Sequence, residues 1–265
     1  MGELAFVGLG LGDERGLSRE AWAVLERAAA VFAEEYTAIA PDGTIDRIAS
    51  ALGRPVVRLG RAELESERPV LAALAAHAHV ALLVVGDPFA ATTHVALRLA
   101  AEGAGHATRY VPGPSILTAA AGFLGVSHYR FGRTVSVPFP APGFRPRSPL
   151  EQIAGNRERE LHTLLLLDLD PTGARFLTAD RALGLLRELD PEGLVLPKDA
   201  LVAVVARVGR DDAAGWVGSA EALASLDFGP PPHAVLVLAP RLHFEEAAAL
   251  RRFALGPDPR LTSER

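Results

Sequence analysis

Residues 80–85 (VALLVV) form an unbroken apolar run that stops abruptly at Gly86-Asp87-Pro88. A strand with one wet face alternates polar and apolar side chains. A run without alternation belongs to a strand buried on both faces, as in parallel sheets covered by helices. Helical spacing resumes over residues 91–99, with Thr92 or Thr93 available as N-cap, so the local order is strand, tight loop, helix. Ligands of parallel α/β sheets bind beyond the carboxyl ends of the strands, and Asp87 would point its carboxylate into that crevice. Gly, Asp and Pro are also favoured in ordinary turns, so the stretch by itself fits either a small-molecule site or a plain reversal.

The rest of the chain repeats that alternation. Residues 4–9 (LAFVGL) read as a buried first strand, followed by the loop GLGLGDERG. Ser18 caps a helix carrying Trp22, Leu25 and Ala29 on one face, and residues 30–32 give a second strand. A helix over 44–52, a strand over 55–59 and a helix over 65–76 lead to the central strand; a glycine turn at 103–105 then leads to a strand over 107–111. The predicted class is α/β, two α/β domains. The rhythm changes at Pro112-Gly113-Pro114, which sets the boundary between an N-terminal domain, 1–113, and a C-terminal domain, 114–265. Residues 115–125 (SILTAAAGFLG) predict a small-residue helix packed between two layers, and 134–137 a strand. The proline-rich stretch 138–149 predicts an exposed loop. Helices over 150–159, 179–189, 219–226 and 244–253 and strands over 163–167, 201–206 and 234–238 complete the second domain. The tail after Leu255 is expected to be mobile.

Composition excludes several classes. A chain of 265 residues, 49% hydrophobic and 22% charged, can bury one large or two medium cores. A net charge of -5 argues against a general nucleic-acid or membrane-surface binder, since neither phosphate nor anionic lipid is attracted by the bulk charge. The chain has no cysteine, which removes disulfides, thiolate nucleophiles and Cys-ligated zinc. Neither a signal peptide nor an apolar run long enough to span a bilayer is visible, so a cytoplasmic protein is expected.

The glycines at Gly8, Gly10 and Gly12 invite a dinucleotide-binding reading, but the G-x-G-x-x-G fingerprint needs glycine where this chain has Asp13. A carboxylate there would repel a pyrophosphate where the helix should begin. Glu34 and Glu35 lie near the distance expected of a ribose-binding acid, but the loop defect outweighs them. No P-loop motif occurs, and the lone lysine, Lys198, lies elsewhere. A loop of bare backbone and carboxylates without clustered Arg or Lys suits a neutral or cationic ligand better than a polyphosphate. S-adenosylmethionine, with its sulfonium and ammonium charges, is such a ligand.

Several segments in order, VGLGLGDERGLS, AVFAEEYT, GDPFAATTH with VALRLAAEG, PSI, HTLLLLDLD, TADRAL, LVAVVARVG, and DFGPPPH followed by APRLHFEEAAAL, resemble the diphthine synthase family of the tetrapyrrole methylase fold group. The likeness runs from residue 4 to about residue 257. It implies an S-adenosylmethionine-dependent methyltransferase, usually a homodimer, with the donor folded into the cleft between two α/β domains and released as S-adenosylhomocysteine. Carried over residue by residue, it implies donor contacts at Leu11, Asp87, Ala90, Ser115, Ile116, Leu167, Val208 and His233, mostly through backbone and apolar atoms. Gly16 stands where an acidic residue often follows DER in relatives, and it is given no role. The implied acceptor is a histidine of translation elongation factor 2 bearing a 3-amino-3-carboxypropyl group. Trimethylation of its amine gives diphthine; eukaryotic relatives also methylate the carboxylate.

No general base is named, because an amine can lose its proton to solvent before each attack. His94, His128 and His162 are candidates for acceptor contact, each with the alternative of simply hydrogen-bonding backbone. Asp168 and Asp170 could meet an amine or cap the next turn. His77 and His79 lack further nearby ligands, and no metal site is expected. Arg145 and Arg147 of the proline-rich loop, with Arg130 and Arg133, could form a surface for the protein substrate. The alternatives are a tetrapyrrole methyltransferase, a non-catalytic binding module and a dehydrogenase. Against the first, the loop lacks the proline commonly found in GPGD there, and few arginines are available for a substrate with many carboxylates.

Overall fold

The central run becomes the middle strand of a five-stranded sheet. In the computed structural model, which describes residues 2–141, 143, 145–170 and 175–262, the chain divides into two units, Met1–Ile116 and Leu117–Arg265. The first contains β1 (Glu3–Gly10), α1 (Arg19–Arg27), β2 (Ala30–Glu34), α2 (Thr44–Leu52), β3 (Val56–Leu59), α3 (Arg61–Glu65), α4 (Arg68–Ala76), β4 (His79–Val85), α5 (Val95–Gly103) and β5 (Ala107–Val111). All pairings are parallel, in the order β3-β2-β4-β1-β5.

Burial on both faces of β4 explains its unbroken apolar run. Ala81 and Leu83 pack with Val7, Leu25, Ile45 and Ile48 on one side. Val80, Leu82 and Val84 pack with Phe6, Val70, Leu74 and Leu97 on the other. Each fully buried leucine contributes roughly 2 kcal/mol of transfer free energy, so a polar residue on either face would cost the sheet heavily.

Helix ends follow local chemistry where a clear cap residue is present. Ser18 Oγ accepts from the Ala21 amide, and Gly53 ends α2 at φ 64°. The buried stripe of α1 is Ala21, Val24 and Leu25, whereas Ala29 lies beyond the helix and is exposed. The single helix expected over 65–76 is two, broken at Glu67 (φ 60°), with Pro69 in the first turn of α4. A proline ring inside a continuous helix would clash with the preceding turn. The helix after β4 starts at Val95, not at residue 91. Thr92 Oγ1 donates to the Pro88 carbonyl at 2.7 Å, and neither Thr92 nor Thr93 is the N-cap.

The second unit contains α6 (Ile116–Leu124, whose first residue closes unit 1), β6 (Val135–Val137), α7 (Ser148–Glu158), β7 (Thr163–Leu167), the hairpin β8 (Leu169–Asp170) and β9 (Arg175–Phe176), α8 (Ala179–Leu189), β10 (Leu201–Ala206), β11 (Ala214–Ser219), α9 (Ala220–Leu223), β12 (His233–Val237) and α10 (Phe244–Leu250). Its main sheet, β11-β10-β12-β7-β6, is antiparallel except for the β6–β7 pair. One face packs on α7 and α8 through Ile153, Leu183, Leu186, Val202, Val204 and Val235.

Three expectations fail here. The strand β11 (AGWVGS) forms where no element is expected, and the helix expected over 219–226 shrinks to four residues capped by Ser219. The tail is not loose through Thr262: Leu261 is buried, its carbonyl accepts from Arg251 Nε at 3.0 Å, and Arg260 donates to the Asp199 carbonyl at 2.6 Å. Residues 263–265 lie outside the described residues. The proline-rich loop ends at Arg147, where α7 begins with Ser148; Pro142 and Phe144 of that loop lie outside the described residues.

Candidate functional site

In unit 1 the carboxyl ends of β1, β4 and β5 converge backbone on backbone. Gly10 and Gly86 exchange hydrogen bonds, amide to carbonyl in both directions, at 3.1 and 2.8 Å, and the β1 register slips between Gly8 and Gly10. A Cβ on Gly8 would stand 2.4 Å from the Gly113 nitrogen, and one on Gly113 would stand 2.4 Å from the Gly86 oxygen. Only glycine permits this approach, and the floor at these strand ends is therefore main chain.

Asp87 leaves that floor half-buried. Its Oδ1 accepts from the Phe89 amide at 3.0 Å; its Oδ2 accepts from the Tyr110 hydroxyl and, at 3.4 Å, from the Gly113 amide. Tyr110 answers with a phenol pushed up to about 12, first by that hydrogen bond, then by burial and the carboxylate's charge. A carboxylate offers about four lone-pair sites, so these three donors leave room for one further cationic or N–H group. Leu11 follows β1, Ala90 closes the turn onto the Asp87 carbonyl at 3.2 Å, and Ser115 and Ile116 follow β5 into the first turn of α6. These residues share the carboxyl end of the parallel sheet.

The turn is cinched from inside. His94 is buried, and its Nδ1 donates to the Pro88 carbonyl at 2.7 Å, leaving Nε2 enclosed with no hydrogen-bond partner among the described residues. His94 thus takes the backbone-bonding alternative. Glu34 is likewise local: its buried carboxylate accepts from the Tyr36 and Thr37 amides, each at 2.5 Å, and from Thr37 Oγ1 at 2.7 Å. Asp13 caps a short 3-10 turn by accepting from the Arg15 amide, so no helix opens there on a phosphate.

In unit 2 the sheet register brings the other candidates together. Ala234 lies opposite Leu166, and His233 opposite Ala206, which places Leu167, Val208 and His233 at one end of that sheet. The His233 ring is fully used. Nδ1 accepts from the Ala179 amide at 3.3 Å, so the proton sits on Nε2, which donates to the Pro230 carbonyl at 3.2 Å. Burial first, and the Arg207 charge second among the opposing influences, holds this imidazole below its ordinary value and neutral. Any ligand contact at His233 runs through its main chain or ring face.

Other expected residues go elsewhere. His162 is fully buried. Its Nδ1 accepts from the Ala239 amide at 2.9 Å and its Nε2 donates to Glu246 at 3.1 Å, which removes it from any acceptor surface. Arg130 is not a free docking charge, since it pairs with Glu246 at 2.6 Å and donates to the Glu160 and Arg241 carbonyls. Asp168 caps, accepting from the Phe139 and Leu169 amides. His128 is exposed and stacked on Phe131; Arg133, Arg145 and Arg147 are exposed. Among the described residues no group of three or more His, Asp or Glu is arranged to hold a metal ion, and no helix is long and apolar enough to cross a membrane. Tyr110 and Arg207 were missed, because a hydrogen bond to a residue far along the chain leaves no local pattern.

Comparison with known proteins gives the context of these two clusters. The family model of the tetrapyrrole (corrin/porphyrin) methylases matches residues 3–224. The chain is 36% identical over 256 residues to a diphthine synthase of Methanospirillum hungatei, covering 97% of this chain and 99% of the relative. It is 37% identical over 257 residues to one of Methanothermobacter thermautotrophicus, covering 96% of each. A crystal structure of diphthine synthase superposes with a TM-score of 0.86 at 37% identity, covering 96% of this chain and 97% of that one.

Proposed function

The chain belongs to the tetrapyrrole (corrin/porphyrin) methylase family and, within it, to the diphthine synthases, and we propose from that membership that it methylates a modified histidine of translation elongation factor 2 with S-adenosylmethionine as donor. The observation that carries the reading is likeness to diphthine synthases over nearly the whole length of both chains. When bound, the donor supplies a methyl group on a sulfonium, activated toward in-line displacement.

The residues present fit such a cation. The main-chain floor at Gly8, Gly86 and Gly113 admits close approach, and Asp87 retains one acceptor position for an ammonium group. Leu11, Ala90, Ser115 and Ile116 in unit 1, and Leu167, Val208 and His233 in unit 2, complete the donor contacts. With its ring nitrogens occupied and its imidazole neutral, His233 adds no positive charge against a cationic ligand. The protein's contribution is orientation and exclusion of water, which hold the incoming amine in line. The attacking amine must be neutral, and solvent takes its proton between rounds.

The acceptor is the amine of a 3-amino-3-carboxypropyl-histidine, methylated three times. A homodimer working in the cytoplasm completes the proposal. The deciding experiment incubates the protein with the donor and elongation factor 2 carrying that histidine, and follows the modified peptide by mass spectrometry. Successive gains of one, two and three methyl groups are expected. An unchanged peptide, with the donor unconsumed, refutes the reading.

A further inference from the structure

We infer that Arg207 is a positioning residue for the donor: it clamps the turn carrying Val208 to the segment leading into His233 and so fixes two donor contacts at once. This rests on the reading of Val208 and His233 given above.

Arg207 is the first residue after β10, and its backbone is left-handed at φ 53°. A non-glycine residue adopts that conformation only where its surroundings hold it. Here the holding groups are its own. Its side chain is 10% exposed. Nε donates to Asp212 Oδ2 at 2.6 Å and Nη2 to the Asp212 carbonyl at 3.3 Å, which closes the turn around Val208. Nη1 donates to the Phe228 carbonyl at 3.3 Å and to the Pro230 carbonyl, and the Arg207 amide donates to the Pro232 carbonyl at 2.9 Å.

The Pro230 carbonyl also accepts from His233 Nε2. One oxygen therefore joins the arginine of the first segment to the histidine of the second, and the His233 Nδ1 bond to the Ala179 amide ties both to the start of α8. Gly229 sits beside the guanidinium, where a Cβ would come within 3.7 Å of Nη1. The planar fork is essential, because three carbonyls and a carboxylate oxygen lie in different directions from one side chain. Lysine, a single ammonium, cannot span them.

The test separates the grip from the backbone. Arg207→Gly removes the side chain while allowing the left-handed conformation; Arg207→Lys keeps the charge and loses the fork. Titration calorimetry with S-adenosylhomocysteine and steady-state methylation are run on wild type and both variants, with circular dichroism to verify folding. Loss of two or more charge-assisted bonds should weaken S-adenosylhomocysteine binding and raise the donor KM about tenfold or more. The kcat at saturating donor and the KM for the protein acceptor should stay near wild type, a split that a general loss of stability would not give. Unchanged affinity in either folded variant overturns the inference. Should both fail to fold, Asp212→Asn, which weakens only the Nε contact, decides: a several-fold weaker affinity supports the clamp and an unchanged one overturns it. Wild type that binds no S-adenosylhomocysteine and transfers no methyl overturns the donor-site reading itself, and the inference with it.

Discussion

Replacing Glu246 by glutamine tests how the second unit is held together. Glu246 is 2% exposed, and its carboxylate gathers four donors from three stretches of chain: the Ser127 amide at 3.0 Å and His162 Nε2 at 3.1 Å on Oε1, Arg130 Nη1 at 2.6 Å and the His243 amide at 3.1 Å on Oε2. Burial alone would raise its pKa. The bonds from His162, Ser127 and His243 overcome that and bring it from 4.5 to about 2. A depression of that size is worth about 3 kcal/mol of stability at neutral pH. Because the folded value lies below the unfolded one, the stabilisation is complete above pH 4.5 and fades as pH falls toward 2. Glu246→Gln keeps the shape, removes the charge and turns an NH2 group toward groups that are themselves donors. Urea unfolding should show a loss of about 3 kcal/mol at pH 7, shrinking progressively below pH 4.5. The two tryptophans, Trp22 and Trp216, lie in different units, so fluorescence of Trp216 in a Trp22→Phe background reports the second unit alone. A difference under about 1 kcal/mol at pH 7, or one that does not change with acidity, would refute the assignment of Glu246 as a charged hub.

Further outcomes follow from the same contacts. Gly113→Ala drives a methyl group to 2.4 Å from the Gly86 carbonyl, and should destabilise the first unit by about 2 kcal/mol or more in thermal unfolding while abolishing S-adenosylhomocysteine binding. Tyr110→Phe deletes one of the three donors to Asp87, and calorimetry should record donor affinity weakened by about threefold to tenfold with the fold intact. His233 is held neutral in the fold, so the unfolded chain takes up its proton first; stability of the second unit should decline as pH falls below 6.5, and His233→Gln should flatten that slope. Saturating S-adenosylhomocysteine at about a hundred times its Kd should stabilise the protein by about 2.7 kcal/mol, and NAD should not.

Much of this was visible in the sequence for one reason. Strands buried on both faces write unbroken apolar runs, and the expected bounds of β7 and β10 match the structure residue for residue; those of α2, α8 and the more exposed edge strand β5 match as well. The edge strand β11 carries two glycines among its six residues, and its pattern gave no strand signal. The helix break at Glu67 was hidden because Pro69 is tolerated in a first turn, so the proline could be read as inside a helix or at its start. At the candidate site, Asp87 was legible because it ends a strand, and the antiparallel course of the second sheet was not, since alternation of strand and helix suggests parallel pairing. The hydrogen bond from Tyr110 to Asp87 spans 23 residues, and the Arg207 grip on Pro230 likewise spans 23. Such partners follow from register and fold, which local spacing does not encode. The correction at His162 has the same origin: its two partners, Ala239 and Glu246, come from the far end of the chain.

The meeting of Gly8, Gly86 and Gly113 means that the carboxyl-end rim of the first sheet cannot loosen one strand at a time. The Gly10 and Gly86 amides shield each other, and the residue that presses against Gly8 arrives only after β5 has docked as the last strand in the chain order. Amide exchange at these glycines should therefore proceed by one shared opening event, at one rate set by the detachment of β5, and this rim exists only once the whole sheet is complete.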